Sequence, residues 1–391
     1  MKDVYIVGVG QTPVTKETSV RGRYLGADAI RAALADAGLE RGRVAALYVG
    51  NMMSGILAHQ QQLGGLLADY AELDGIEAVT VEAACASGGA AARLAYLAVA
   101  GGMHDVVVVC GIERMTHVDR DTVTRALATA ADWELEGACG ESFLSLNAKL
   151  MRAYMDTYGV RPEEFAPFSI TAHQNALTNP NALFHKRIDV AAYLDSRLVA
   201  DPVRLFDASP ICNGAAAIVL ASREMATQAA GPAHRPRVRI AGSAAATASL
   251  ALARRDALLP MRAVEHSTAS AFAQAGITHS DVDVFELHDA YTIMTVLSLE
   301  SAGFAAPGTG AKLAIDGGIG LDGNLPIATF GGLKARGHPV GATGVYQLIE
   351  AHAQLAGIAG PNQVAGAEVA LVQNIGGTGA TVVTHALTRE D

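Results

Sequence analysis

Residues 268–289, TASAFAQAGITHSDVDVFELHD, repeat the layout of residues 27–51, ADAIRAALADAGLERGRVAALYVGN. Ala37-Gly38-Leu39 corresponds to Ala275-Gly276-Ile277, and at the same spacing Val44 meets Val282 and Leu47 meets Phe285. Each copy reads as a helix, a glycine C-cap, a short loop and a buried strand. Chance likeness between alanine-rich helices is the competing explanation; a gapless match through helix, cap and strand weighs against it. A second pair points the same way. Cys85-Ala-Ser-Gly88 opens a helix ending at Ala100-Gly101, and Gly341-Ala-Thr-Gly344 opens one ending at Ala356-Gly357. Two copies of one half-fold are therefore expected.

Outward from these stretches, short apolar runs recur at Val4–Val9, Ala46–Val49, Val106–Cys110, Ala216–Leu220, Val238–Ala241, Val282–Leu287 and Val369–Val372. Several lack alternation, as strands covered on both faces do. Between them lie helical stretches at Ala27–Ala37, Gly88–Ala100 and Val345–Ala356, so a layered α/β architecture is predicted. Residues 118–203 break the pattern: they are richer in charge, hold RPEEF and FHKRID, and read as an inserted subdomain. The strand that follows returns to the first half. The expected division is 1–117 plus 204–235, an insertion at 118–203, and 236–391.

Composition narrows the function. The chain has 391 residues, half of them hydrophobic, and a net charge of −10. That charge argues against a nucleic-acid or anionic-membrane surface, though not against a small phosphate-bearing ligand. No apolar run reaches the ~18 residues of a membrane span. MKDVYIVGVG reads as a first strand rather than a signal peptide. The four cysteines, Cys85, Cys110, Cys139 and Cys212, show no CxxC spacing, which argues against structural zinc or a disulfide framework and fits a reducing, cytoplasmic compartment.

Three segments carry chemistry. In VEAACASGGAAARLAY (81–96), Cys85 precedes a helix, where the dipole and free N–H groups favour thiolate; a buried structural cysteine is the alternative. In FGGLKARGHPVGATG (330–344), His338 sits in a glycine-rich loop that opens the second-half helix. The repeat sets this loop opposite Cys85, making a nucleophile–base pair. A phosphate cradle is the alternative, but the Gly-Lys-Ser/Thr ending is absent. LVQNIGGTGAT (371–381) is a strand running into a glycine turn, suited to an oxyanion hole or simply to a tight turn.

The order CASG, HDAY, GHPVGATG and NIGGTGA, with KDVYIVGVGQTPV at the start and ASPICNGAAAIVL at 208–220, resembles the thiolase superfamily over essentially the whole chain. Within it the His-Asp motif, Asn374 and GNMMSG are similar to the sterol-carrier-protein-type and archaeal-type acetoacetyl-CoA thiolases. The resemblance implies a five-layered αβαβα fold of duplicated βαβαβαββ halves with an inserted loop domain that binds coenzyme A. It implies Cys85 as the nucleophile that takes an acyl group from coenzyme A and His338 as its base. His288 and His338 would form one oxyanion hole, and the N–H groups of Cys85 and Gly376 the other. Cys139 would line the acyl pocket, Asn374 would hold the position of a catalytic cysteine in other members, and Ser243 would contact pantetheine. The acyl-CoA thioester is the implied substrate, with no covalently bound cofactor and no metal. A homodimer or dimer of dimers is implied, as is a small zinc-ribbon/OB-fold partner protein.

One departure complicates this. Claisen chemistry needs a second acid/base, which relatives supply as a cysteine at position 374 or directly after His-Asp. Here those positions are Asn374 and Ala290. Cys139 is one replacement. Tyr291 is another, although a continuing strand would point it away from Ala290. His288 or His338 doing double duty is a third, and a different carbon acid a fourth. The leading expectation is an acetyl-CoA/acetoacetyl-CoA acyltransferase working through a Cys85 thioester. A thiolase-like C–C lyase, a carbon acyltransferase on another nucleophile, and an acyl-CoA-binding subunit of a complex are the alternatives.

Overall fold

The computed structural model describes residues 1–16, 19–229, 231, 235–315 and 317–390. The first half contributes strands β1 (Val4–Gln11), β2 (Ala46–Gly50), β3 (Glu77–Val81), β4 (Val106–Arg114) and β5 (Asn213–Ser222). The second contributes β6 (Arg237–Thr247), β7 (Val284–Glu286), β8 (Val369–Gly376) and β9 (Thr381–Glu390). They hydrogen-bond in the order β3-β2-β4-β5-β1-β6-β9-β8-β7. The seam is β1 against β6, paired at Tyr5↔Arg239 and Ile6↔Val238. Read outward from it, both halves have the same order, and a parallel bridge between Phe285 and Ile327 stands where the first half has β3.

Four helices complete the layers: α1 (Gly22–Ala37), α2 (Ser87–Ala100), α3 (Arg262–Ala275) and α4 (Thr343–Leu355). Helix α1 covers β1, β4 and β5, and α3 covers β6 and β9. Helices α2 and α4 pack on each other, and each touches strands of both halves, so they form the middle layer of an α-β-α-β-α stack. Small residues make this closeness possible. A Cβ on Gly10 of β1 would lie 2.4 Å from the Ala29 carbonyl of α1, and one on Gly242 of β6 would lie 2.4 Å from the Ala271 carbonyl of α3.

The repeat seen in the sequence corresponds to matched elements. Gly38 and Gly276 end α1 and α3 in left-handed conformations, φ 61° and 69°. The unbroken valine run in β4 has its cause here. Val107 and Val109 face the cluster around α4, whereas Val106, Val108 and Cys110 face α1.

Two strands carried no expectation. Strand β3 is a largely exposed edge whose polar residues hide the pattern, and β9 returns directly from the glycine turn after β8. The expected strand 282–287 is shorter than its apolar run. Leu287 N–H bonds back to Phe285 O at 3.0 Å, a three-residue turn that ends extension at Glu286.

Residues 118–203 hold helices Arg120–Ala128, Phe143–Tyr158, Ala166–Ala176 and Val190–Asp195, with a small ribbon of Leu198–Ala200 and Val203–Arg204. Asp119 and Ser142 cap the first two by accepting from backbone N–H groups. Asn175 and Asn179, on and just after the third helix, donate to the carbonyls of Ala328 (3.1 Å) and Phe330 (2.9 Å). This region thus braces the loop leading to His338.

Candidate active site

The Cys85 turn is closed from within. Ser87 Oγ accepts from Ala83 N–H at 2.9 Å and donates to Ala84 O at 2.6 Å. Ala84 takes φ 53°, an unfavourable left-handed conformation for a residue with a Cβ. The turn sets Cys85 two residues ahead of α2. Strand β8 ends against it, since a Cβ on Gly376 would lie 2.4 Å from Ala83 O.

His338 approaches from the other half. A five-residue π-turn, Gly332–Arg336, precedes it. The Asp289 carboxylate clamps that turn by accepting from Leu333 N–H at 2.7 Å and facing Lys334 Nζ at 3.5 Å. Asp289 and Lys334 are both buried, so each needs the other. The His338 backbone N–H donates to Cys212 Sγ at 3.1 Å, and its Nδ1 lies 2.7 Å from Thr343 Oγ1. Glu113 joins the two halves at this level. Its buried carboxylate accepts from Met52 N–H, Met53 N–H, Asn51 Nδ2 and Gly341 N–H. Burial pushes its pKa up to about 7, and the four donors pull it down.

His288 follows β7. Its ring stands nearly perpendicular to that of His338, at 86° with centroids 5.1 Å apart. One atom each from Cys85, His288 and His338 forms a cluster within 4.8 Å. Cys85 is 9% exposed, His338 6% and His288 2%, so the cluster is nearly sealed. Its cysteine side is apolar, with Met53, Leu57, Met115, Val123, Ala126 and Val340 packed around the thiol.

This burial reverses one expectation. The helix end favours thiolate, yet desolvation, aided by Glu113, pushes the Cys85 thiol up to about 12. Both histidines move the opposite way. Burial and Arg336 pull His288 down to about 3, and burial, His288 and Arg336 hold His338 well below the usual imidazole range. The resting site therefore holds a neutral thiol and two neutral rings. The cluster has the span to chelate a soft cation, but its surroundings do not suit one. A metal-bound histidine usually donates its second N–H to an acceptor, and His288 Nδ1 instead faces the amide donor of Asn374 at 3.1 Å.

The other candidates fall elsewhere. Asn374 is fully buried, with its amide engaged by Gly89 N–H, Cys85 O and the His288 ring, so it lies behind the cluster. Ser243 lies inside β6 rather than after it. It is buried, its N–H is bonded to Gln274, and its carbonyl accepts from Arg93, so the expected pantetheine contact has no open surface. Cys139 is exposed, in a short turn near the Glu134 carbonyl, and is not part of the cluster. Cys110 and Cys212 are core residues. Because β7 stops at Glu286, strand alternation does not govern Tyr291. Its phenol lies near enough to Cys85 for the two to interact electrostatically, and burial raises its pKa. Sequence reasoning passed over Ser87, Thr343, Glu113 and Lys334. All but Glu113 lie in quoted motifs, but only the folded contacts reveal their work.

The model of the thiolase N-terminal domain matches residues 4–224, and that of the thiolase C-terminal domain matches residues 244–389. An acetyl-CoA acetyltransferase of Methanothermobacter thermautotrophicus is 41% identical over 389 residues, spanning 100% of both chains. Sterol carrier protein 2 of Gallus gallus is 32% identical over 97% of this chain and 71% of its own. The solved structure of an Ltp2-ChsH2(DUF35) aldolase superposes with a TM-score of 0.85 at 24% identity, covering 99% and 98% of the two chains, a likeness of fold.

Proposed function

The chain belongs to the thiolase family, and from that premise we propose that it is a thiolase-type acyltransferase in which Cys85 carries the acyl group of a coenzyme A thioester. The observation that carries this reading is the buried cluster of one thiol and two neutral imidazoles within 4.8 Å. His338 takes the Sγ–H proton as sulfur attacks the thioester carbonyl. The carbon–sulfur bond to coenzyme A breaks, and the proton leaves with the departing thiolate as free coenzyme A. The backbone N–H groups of Cys85 and Gly376 hold the tetrahedral oxygen, and the His288 ring, joined by His338 only while that ring carries a proton on Nε2, polarises the carbonyl in the companion step. The acyl-enzyme then passes its group to a second nucleophile, in the acetoacetyl-CoA case the α-carbon of a second acetyl-CoA, whose C–H proton His338 takes and returns to the Cys85 sulfur as the enzyme thioester breaks, or, in reverse, coenzyme A.

Ala290 favours a second reading of that last step. No other thiol belongs to the cluster, and Tyr291, its pKa raised by burial, is a donor rather than a base. A carbon acceptor more acidic than acetyl-CoA, or carbon–carbon cleavage, needs less from the site. Segment 118–203 is proposed to carry the coenzyme A arm, and homodimers and a zinc-ribbon/OB-fold partner are proposed companions. The aldolase neighbour, solved with a DUF35 protein, supports the latter. No helix among the described residues is long and apolar enough to cross a membrane; a cytoplasmic site is proposed.

Intact-mass measurement after incubation with acetyl-CoA tests the central step. An acetyl adduct is expected in wild type and in Cys139→Ala, and none in Cys85→Ser. Absence of an adduct from wild type with acetyl-CoA and longer acyl-CoAs would refute the acyl-enzyme.

A further inference from the structure

Asn374 has its amide orientation fixed by chemistry. Its Oδ1 accepts from Gly89 N–H at 3.0 Å, a bond only the oxygen can make. Its Nδ2 donates to Cys85 O at 3.1 Å, a bond only the nitrogen can make. The remaining Nδ2 proton faces His288 Nδ1 at 3.1 Å. That ring nitrogen must therefore offer a lone pair, and a neutral ring then carries its proton on Nε2. An imidazolium would set N–H against N–H, which gives His288 a second reason, beside burial, to stay neutral.

His338 is arranged in the opposite sense. Thr343 Oγ1 lies 3.4 Å from Pro339 O, to which its hydroxyl can donate, and 2.7 Å from His338 Nδ1, from which it can then accept. Nε2 of His338 is then bare. Neither Nε2 has a hydrogen-bond partner among the described residues.

We propose that Asn374 is a positioning residue that locks His288 in its Nε2–H tautomer, making this ring a standing hydrogen-bond donor and leaving His338 as the site's only imidazole base. Where relatives place a proton-transferring cysteine, this chain places a group that cannot move a proton but fixes where a neighbour keeps its own. Under the acyltransfer reading, on which only the kinetic prediction below rests, each proton handled by an imidazole passes through His338.

Long-range 1H–15N correlation on the full-length protein labelled with 15N-histidine reads the tautomer without turnover, with His288→Gln assigning the signal. The wild-type ring should show the Nε2–H pattern from about pH 5.5 to 8.5. A Nδ1–H or imidazolium pattern in that window would overturn the proposal. In Asn374→Asp the carboxylate accepts from Nδ1–H and the pattern should invert; an unchanged pattern would also overturn it. Acyl-adduct formation in Asn374→Asp should slow about 10²–10³-fold, the scale for losing one oxyanion donor, with KM for acyl-CoA within about threefold. A tautomer as proposed with no adduct in wild type would sink the acyltransfer reading alone, and an adduct with the wrong tautomer would sink this proposal alone.

Discussion

The entrances to α2 and α4 are the same element built twice, and they do opposite jobs. Cys85-Ala-Ser-Gly88 matches Gly341-Ala-Thr-Gly344, which sets Ser87 against Thr343. Ser87 spends its hydroxyl on the backbone, closing the strained turn that displays the thiol. Thr343 turns its own to Nδ1 of the His338 ring, 2.7 Å away. The strand ends before them diverge likewise. At the repeat's spacing Asn51 meets Asp289: Asn51 ties its loop to neutral and carboxylate partners, whereas Asp289 neutralises the buried Lys334. The paired layout supplies two facing helix ends; one displays the Cys85 thiol, the other braces the His338 ring.

The strand-end contrast can be broken most severely at Asp289. Asp289→Ala should leave the buried Lys334 without its carboxylate partner and release the π-turn, costing about 3–5 kcal/mol in urea unfolding. A loss under about 1 kcal/mol would show that the clamp is incidental.

Whether the thiol or a ring holds the resting proton is checked by iodoacetamide. With the Cys85 thiol pushed up to about 12, its thiolate fraction grows throughout the neutral range. Peptide-resolved modification of Cys85 should therefore quicken about tenfold per pH unit from pH 6 to 9. A flat profile would mean a preformed thiolate–imidazolium pair.

The two hydroxyls give the finest test. Ser87→Ala strands a backbone donor and should cost about 1–3 kcal/mol of stability. Thr343→Val should leave the melting temperature within a few degrees but slow acylation of Cys85 by about tenfold or more, with its largest effect on kcat. If the two variants behaved alike, the assigned division of labour would be wrong.

Much of this was legible because it is local. Helix periodicity, the glycine caps at 38 and 276, the uninterrupted valines of β4 and the order of the four motifs are properties of neighbouring residues, and they suffice for a duplicated α/β fold and for naming Cys85, His288 and His338. Ser243 and Tyr291 were misplaced because strand ends depend on hydrogen bonds to other chain segments: β6 extends to Thr247 by pairing with β9, and β7 stops short at its turn.

The sequence by itself determined the repeated helix–cap–strand elements, the cysteine ahead of α2 and the family. Only the tertiary structure decided the protonation of the site. Asn374 lies 289 positions from the Cys85 carbonyl it binds and 86 from the His288 ring. The thiol's pKa is set by the apolar shell that assembles around it when the halves close. Hydrogen-bond direction and desolvation arise between side chains that meet only after the sheet is ordered, so no local pattern can record them.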